Sequence, residues 1–164
     1  MQKIELKGLE EIDQLCKKLK SSPEVFARAR RECFEEASRE LKRLVDYSIS
    51  TSLEGDVHKI QSWQERIVGS EGGYAKVKPK ADTWTERTKK TGNRYAVGAV
   101  TTAIVAGHDF PSPSGRKYYK PRIRSGAMRV AGRPFYANTE PLVKDLARRT
   151  AERVVERYLK ELEG

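Results

Sequence analysis

At 164 residues, with 34% charged and 37% hydrophobic side chains, the chain matches one compact domain and is too rich in periodic apolar residues for wholesale disorder. No apolar run approaches the roughly 20 residues of a membrane-spanning helix, and Met1 to Lys7 alternates charged and apolar residues, which is not the pattern of a secretory signal. The formal net charge of +10 is unevenly placed: 14 Lys/Arg against 3 Asp/Glu (+11) lie between Lys76 and Arg133, and 19 against 20 (−1) lie elsewhere. Such a concentrated basic region meets phosphates or an acidic protein surface.

Leu9, Ile12, Leu15, Cys16 and Leu19 recur at three- and four-residue steps, predicting a short amphipathic helix. Ser22, Pro23 and Glu24 supply an N-cap, a first helical residue and a favourable first-turn charge for a second, longer helix. Phe26, Ala29, Cys33, Ala37, Leu41, Leu44 and Val45 carry its stripe to about Ser50, a rod of roughly 40 Å, so that residues 9–50 are read as helical. Both cysteines fall on these stripes without zinc-type spacing, and they read as buried hydrophobes in a reducing cytoplasm. Residues 50–58 break the period and form a connector.

Residues 62–88 read as a β-hairpin region. Trp63, Glu65, Ile67 and then Tyr74, Lys76, Lys78 alternate around Gly72-Gly73, which is expected to supply the positive φ angles of the turn, and a further strand is expected over Thr83 to Thr88. Asn93 is expected to cap a short helix through Tyr95, Val97, Val100, Ala103 and Ile104. Residues 107–133, with four glycines, three prolines and a cluster of Lys and Arg, read as a long irregular basic excursion. Leu142, Leu146, Thr150, Val154, Tyr158 and Leu162 at four-residue spacing define a C-terminal helix over 138–162. The fold class predicted is α+β: one domain, 1–164, with long N- and C-terminal helices packed on a small antiparallel β-sheet and a long basic loop.

Catalytic patterns are not found. His58 and His108 lie far apart without a metal-ligand frame, there is no GxSxG elbow, phosphate loop or strand-linked GxGxxG, and no cofactor is expected. Glu35-Glu36 is explained by helix pairing such as Glu35 with Arg39, and Asp82, Glu86 and Asp109 alone are a thin basis for a two-metal nuclease. The chain is therefore read as a non-enzyme. Aromatic residues interleave with basic ones through the middle, which suits base stacking and also suits a protein interface.

The run Tyr95-Ala96-Val97-Gly98-Ala99-Val100-Thr101-Thr102-Ala103-Ile104, then Gly107-His108, Pro113-Ser114-Gly115, Tyr119-Lys120-Pro121-Arg122-Ile123 and Gly132-Arg133-Pro134-Phe135-Tyr136 before a charged terminal helix, resembles the tail-completion or head-to-tail joining proteins of long-tailed phages, the minor tail protein Z type, with relatives in prophages and phage-tail-like bacteriocins. The resemblance spans most of the chain in element order and specific residues from Tyr95 to Tyr136. Where many members carry a valine-glutamate-phenylalanine-glycine run, this chain reads Ile104-Val105-Ala106-Gly107. The resemblance implies an α+β subunit of a six-membered ring at the head-proximal end of a tail, made in the bacterial cytoplasm and then part of the virion or tail-like particle. Its implied partners are its own copies and neighbouring tail-tube, terminator or neck proteins, with transient contact to passing DNA and no membrane. The partner-binding residues expected are Arg116, Lys117, Tyr119, Lys120, Arg122, Arg124, Arg133, Phe135 and Tyr136. The competing expectation is a basic nucleic-acid-binding protein, against which stands the absence of a recognisable reader motif.

Overall fold

A computed structural model of the chain describes residues 2–7, 12, 23–70, 73–89, 91–109 and 129–163. It is α+β, with a three-stranded antiparallel sheet against long helices. Helix α1, Pro23–Ser52, begins on the proline that the sequence places at its first position. Its buried side, Ala29, Cys33, Phe34, Ala37, Leu41, Val45 and Ile49, follows the predicted stripe, with Phe34 added at its centre. Of the shorter helix expected before it, Ile12 alone lies within the described residues; it is helical and fully buried. Cys33 is buried, and Cys16 lies outside the described residues.

Asp56 caps the one-and-a-half-turn helix α2, Val57–Ser62, by accepting from the Lys59 amide at 3.3 Å. The predicted hairpin follows as β2, Gln64–Val68, and β3, Tyr74–Pro79. Here the structure corrects one expectation. Gly73 has no positive φ, and Gly72 lies outside the described residues; at Gly69, a Cβ would come within 2.7 Å of the Tyr74 ring, so a larger residue there would displace that side chain. The hairpin is also extended by an edge strand, β1, Ile4–Lys7, whose register Ile4↔Val77 and Leu6↔Ala75 makes β3 central. Ile4, Leu6, Ala75 and Val77 turn to the core, while Glu5, Glu65, Lys76 and Lys78 lie on the opposite face, where Lys78 and Glu65 pair at 3.2 Å.

The strand expected over Thr83 to Thr88 reduces to one bridge, Trp84↔Ala96. Helix α3, Val97–Ala106, is present as expected, but Asn93 does not cap it: the N-cap is Ala96, which makes no side-chain cap bond. The Asn93 carbonyl accepts instead from the Thr88 amide at 3.0 Å. The ends of the region expected to be irregular are ordered as two-residue strands, β4, His108–Asp109, and β5, Arg129–Val130, while 110–128 lie outside the described residues.

Helix α4, Phe135–Glu163, starts three residues earlier than expected and contains Pro141. Pro141 lacks the amide that would bond the Ala137 carbonyl, and buried Phe135 and Tyr136 tie down the turn before it. Its stripe buries Leu146, Ala147, Thr150, Ala151, Val154, Val155 and Tyr158, whereas Leu142, at the end of the predicted stripe, is 47% exposed. The helix runs antiparallel to α1: Asn138 reaches Ser52 at one end, and Arg157 reaches Glu32 and Glu36 at the other. The core is thus one layer of α1 and α4 on one sheet face.

Candidate interaction surface

The described part of the basic middle falls into two pieces, an arm and a clasp. The arm, residues 83–97, folds back on itself through Val97 N–H to the Thr83 carbonyl at 2.9 Å and Thr85 N–H to the Tyr95 carbonyl at 2.9 Å. It is completed by Tyr95 N–H to the Thr85 hydroxyl at 3.0 Å and by Gly92 N–H to the Thr88 carbonyl at 2.8 Å at its tip. Asp82, with φ at 51°, turns the chain into the arm, and an ion pair from Lys59 to Glu86 at 3.2 Å ties it to α2. These bonds turn the main chain back on itself and leave the larger side chains of the arm exposed. Trp84 is 59% and Tyr95 48% exposed, and Lys80, Arg87, Lys89 and Arg94 are exposed without ion-pair partners among the described residues.

The clasp closes the base of the 107–133 excursion. Beyond the register His108↔Val130 and Asp109↔Arg129, the Arg133 amide donates to the Ile104 carbonyl at 2.8 Å, tying the return strand to the end of α3. Two glycines let the segments touch. A Cβ on Gly107, whose φ is 78°, would lie 2.5 Å from the Val130 carbonyl oxygen, and one on Gly132 would lie 2.5 Å from that of Val105. Any larger residue would force backbone apart. Beside the clasp lies a cleft of about 310 Å³ with Leu53, Ile104 and Val130 among its lining and Glu54, His108 and Arg133 at its polar side.

The residues expected to bind partners divide three ways. Arg116, Lys117, Tyr119, Lys120, Arg122 and Arg124 lie outside the described residues. Arg133 is exposed at the clasp beside the cleft. Phe135 and Tyr136 are corrections: they are core residues, fully and almost fully buried, with their rings in tilted contact at 4.7 Å between centroids. The Tyr136 hydroxyl donates to the Gln64 side-chain carbonyl, and burial pushes its pKa well above the usual tyrosine range. Their aromatic character signalled burial, not contact. Sequence reasoning passed over Trp84, Tyr95, Arg87 and Arg94 as site residues, because the signal, an aromatic on each strand of a Thr-rich ribbon, looks like ordinary strand composition.

Glu35 bonds Arg31 at 3.2 Å and not the expected Arg39, and Glu36 serves Arg153 and Arg157. Among the described residues no three His, Cys, Asp or Glu side chains converge as a metal site, and no helix is long and apolar enough to cross a membrane. Comparison with family models, with curated proteins and with solved structures finds no match to this chain.

Proposed function

We propose that the chain is a structural subunit of a phage or phage-tail-like particle, assembling with its own copies into a ring at the head-proximal end of the tail and joining that tail to the neck. The observation that carries the reading is the clasp. It anchors at one point of the fold a 19-residue segment, 110–128, that contains five Lys/Arg and no Asp/Glu. A long, single-signed segment on a hydrogen-bonded base, next to exposed Arg133 and a cleft with one apolar side, is what an adaptor needs to dock on an acidic neighbour. The order of residue runs from Tyr95 to Tyr136, which resembles that of tail-completion proteins, supports the same reading. The chain acts here by assembly and not by catalysis.

The test replaces Arg116, Lys117, Lys120, Arg122 and Arg124 by Gln, counts joined particles by electron microscopy and measures duplex binding over a salt series. Loss of joining with weak duplex binding by the wild type is the expected result. A second reading, a nucleic-acid-binding protein, is favoured by the exposed Trp84 and Tyr95 among exposed cations on the arm. It requires tight wild-type DNA binding that falls with salt at a slope of about −0.9 per phosphate neutralised. Normal joining by the Gln variant together with abolished DNA binding would establish it in place of the first.

A further inference from the structure

Two of the four large hydrophobic side chains exposed on the described surface lie outside the basic middle, on the two long helices. Tyr47 of α1 is 69% exposed and Leu142 of α4 47%. Leu44, one turn before Tyr47, is half-buried, and together with Leu142 and Leu146 it lines a groove of about 510 Å³ between the antiparallel helices. Arg43, Arg149 and Arg153 line the same groove against a single carboxylate, Glu40. Arg43 and Arg153 already hold Glu40 at 2.6 Å and Glu36 at 3.5 Å, whereas Arg149 donates to the Asp145 main-chain carbonyl. Its guanidinium is therefore placed to meet a carboxylate from outside.

We propose that this groove docks an acidic amphipathic helix of another protein. Two antiparallel helices offer a third one a ready seat, with apolar anchors entering between the ridges. From Leu142 to Arg153 the groove runs roughly 16 Å at 1.5 Å per residue, the length of three turns and so of anchors at i, i+4 and i+7. The arginines choose the sign of the partner. A second copy in two-fold contact would set the same three arginines against themselves, and a nucleic acid would gain nothing from the leucine floor. The inference stands apart from the adaptor reading, since neither the clasp nor residues 110–128 take part.

The experiment uses the full chain and a fluorescein-labelled three-turn helical peptide with leucines at i, i+4 and i+7 flanked by glutamates, beside the same peptide with lysines in place of the glutamates. Fluorescence anisotropy should show binding of the acidic peptide alone. Leu142→Glu and Arg149→Glu should each weaken it by roughly tenfold or more, while the melting temperature stays at the wild-type value because both positions are exposed. Lys160→Gln, exposed near the end of α4 and outside the groove, should leave binding unchanged. The proposal is overturned if neither peptide binds, if both bind alike, or if the two groove variants bind the acidic peptide like the wild type. It is equally overturned if light scattering shows a dimer that Leu142→Glu converts to a monomer, which would make a second copy the occupant. None of these results bears on whether the clasped segment joins tails.

Discussion

At the scale of single residues, the clearest costs in this molecule are polar. Thr101 of α3 and Ser48 of α1 are buried, and their hydroxyls find no hydrogen-bond partner among the described residues. An unpaired buried hydroxyl costs free energy, so Thr101→Val, which keeps the shape, is expected to stabilise the fold by about 1 kcal/mol in urea unfolding. Tyr136 is the opposite case, a buried hydroxyl with its partner. Because burial raises its pKa in the native state only, the folded chain keeps above pH 10 a proton that the unfolded chain releases, and stability must fall as pH rises past that point. The loss approaches about 1.4 kcal/mol per pH unit for this one proton. Tyr136→Phe should cost about 1–2 kcal/mol at neutral pH, by stranding the Gln64 carbonyl, and should show a shallower alkaline decline between pH 9 and 11. An unchanged slope in the variant would place the alkaline loss elsewhere.

At the scale of elements, what could be read from the sequence depended on length. The stripes of α1 and α4 each repeat over more than five turns, so a periodic pattern outvotes its exceptions, and even there Leu142 fits the apolar spacing yet is exposed, because spacing alone cannot show which turn of a stripe borders an open groove. Leu146→Ala is expected to cost about 2–3 kcal/mol, toward the low end for large-to-small core changes, since that side chain borders the open groove; Arg149→Ala should change stability by less than about 0.5 kcal/mol. Equal effects on thermal unfolding would refute the burial assigned to α4. Short elements were not legible. β1 has four residues and finds its partner some seventy positions away, and β4 and β5 have two residues each, below any periodicity. The clasp glycines were visible as glycines, but their reason, main-chain contact between Gly107 and Gly132 segments, exists only in three dimensions. Gly132→Ala should open the clasp, seen as faster amide exchange at Val130 and Arg133 with little change in the exchange of α1.

At the scale of the whole molecule, charge and fold are separated. Helices and sheet carry a nearly balanced surface in which Glu32 and Glu36 of α1 hold Arg153 and Arg157 of α4. Those pairs are partly exposed, so each adds less than about 1 kcal/mol and weakens with salt. The excess positive charge sits on the arm and in the clasped segment. That division was visible in the sequence as a count of Lys and Arg; the placement of the expected contact residues was only partly so, because Phe135 and Tyr136, adjacent to the basic run, turn inward to start α4.

The clasp has a consequence for how such a chain can change. Since Asp109 and Arg129 are already neighbours across a β-pair, everything between them is an insertion into a finished hairpin, and lengthening or exchanging it alters the closure entropy only logarithmically. The nineteen residues are in this sense a cassette: the body can be inherited unchanged while the cassette is swapped to suit a new neighbour. Joining Asp109 to Arg129 through Asn-Gly, a turn suited to a two-residue hairpin, should yield a chain that melts at or above the wild-type temperature and, under the proposed function, no longer supports particle joining. Grafting another subunit's segment onto the same two residues should transfer that subunit's choice of partner.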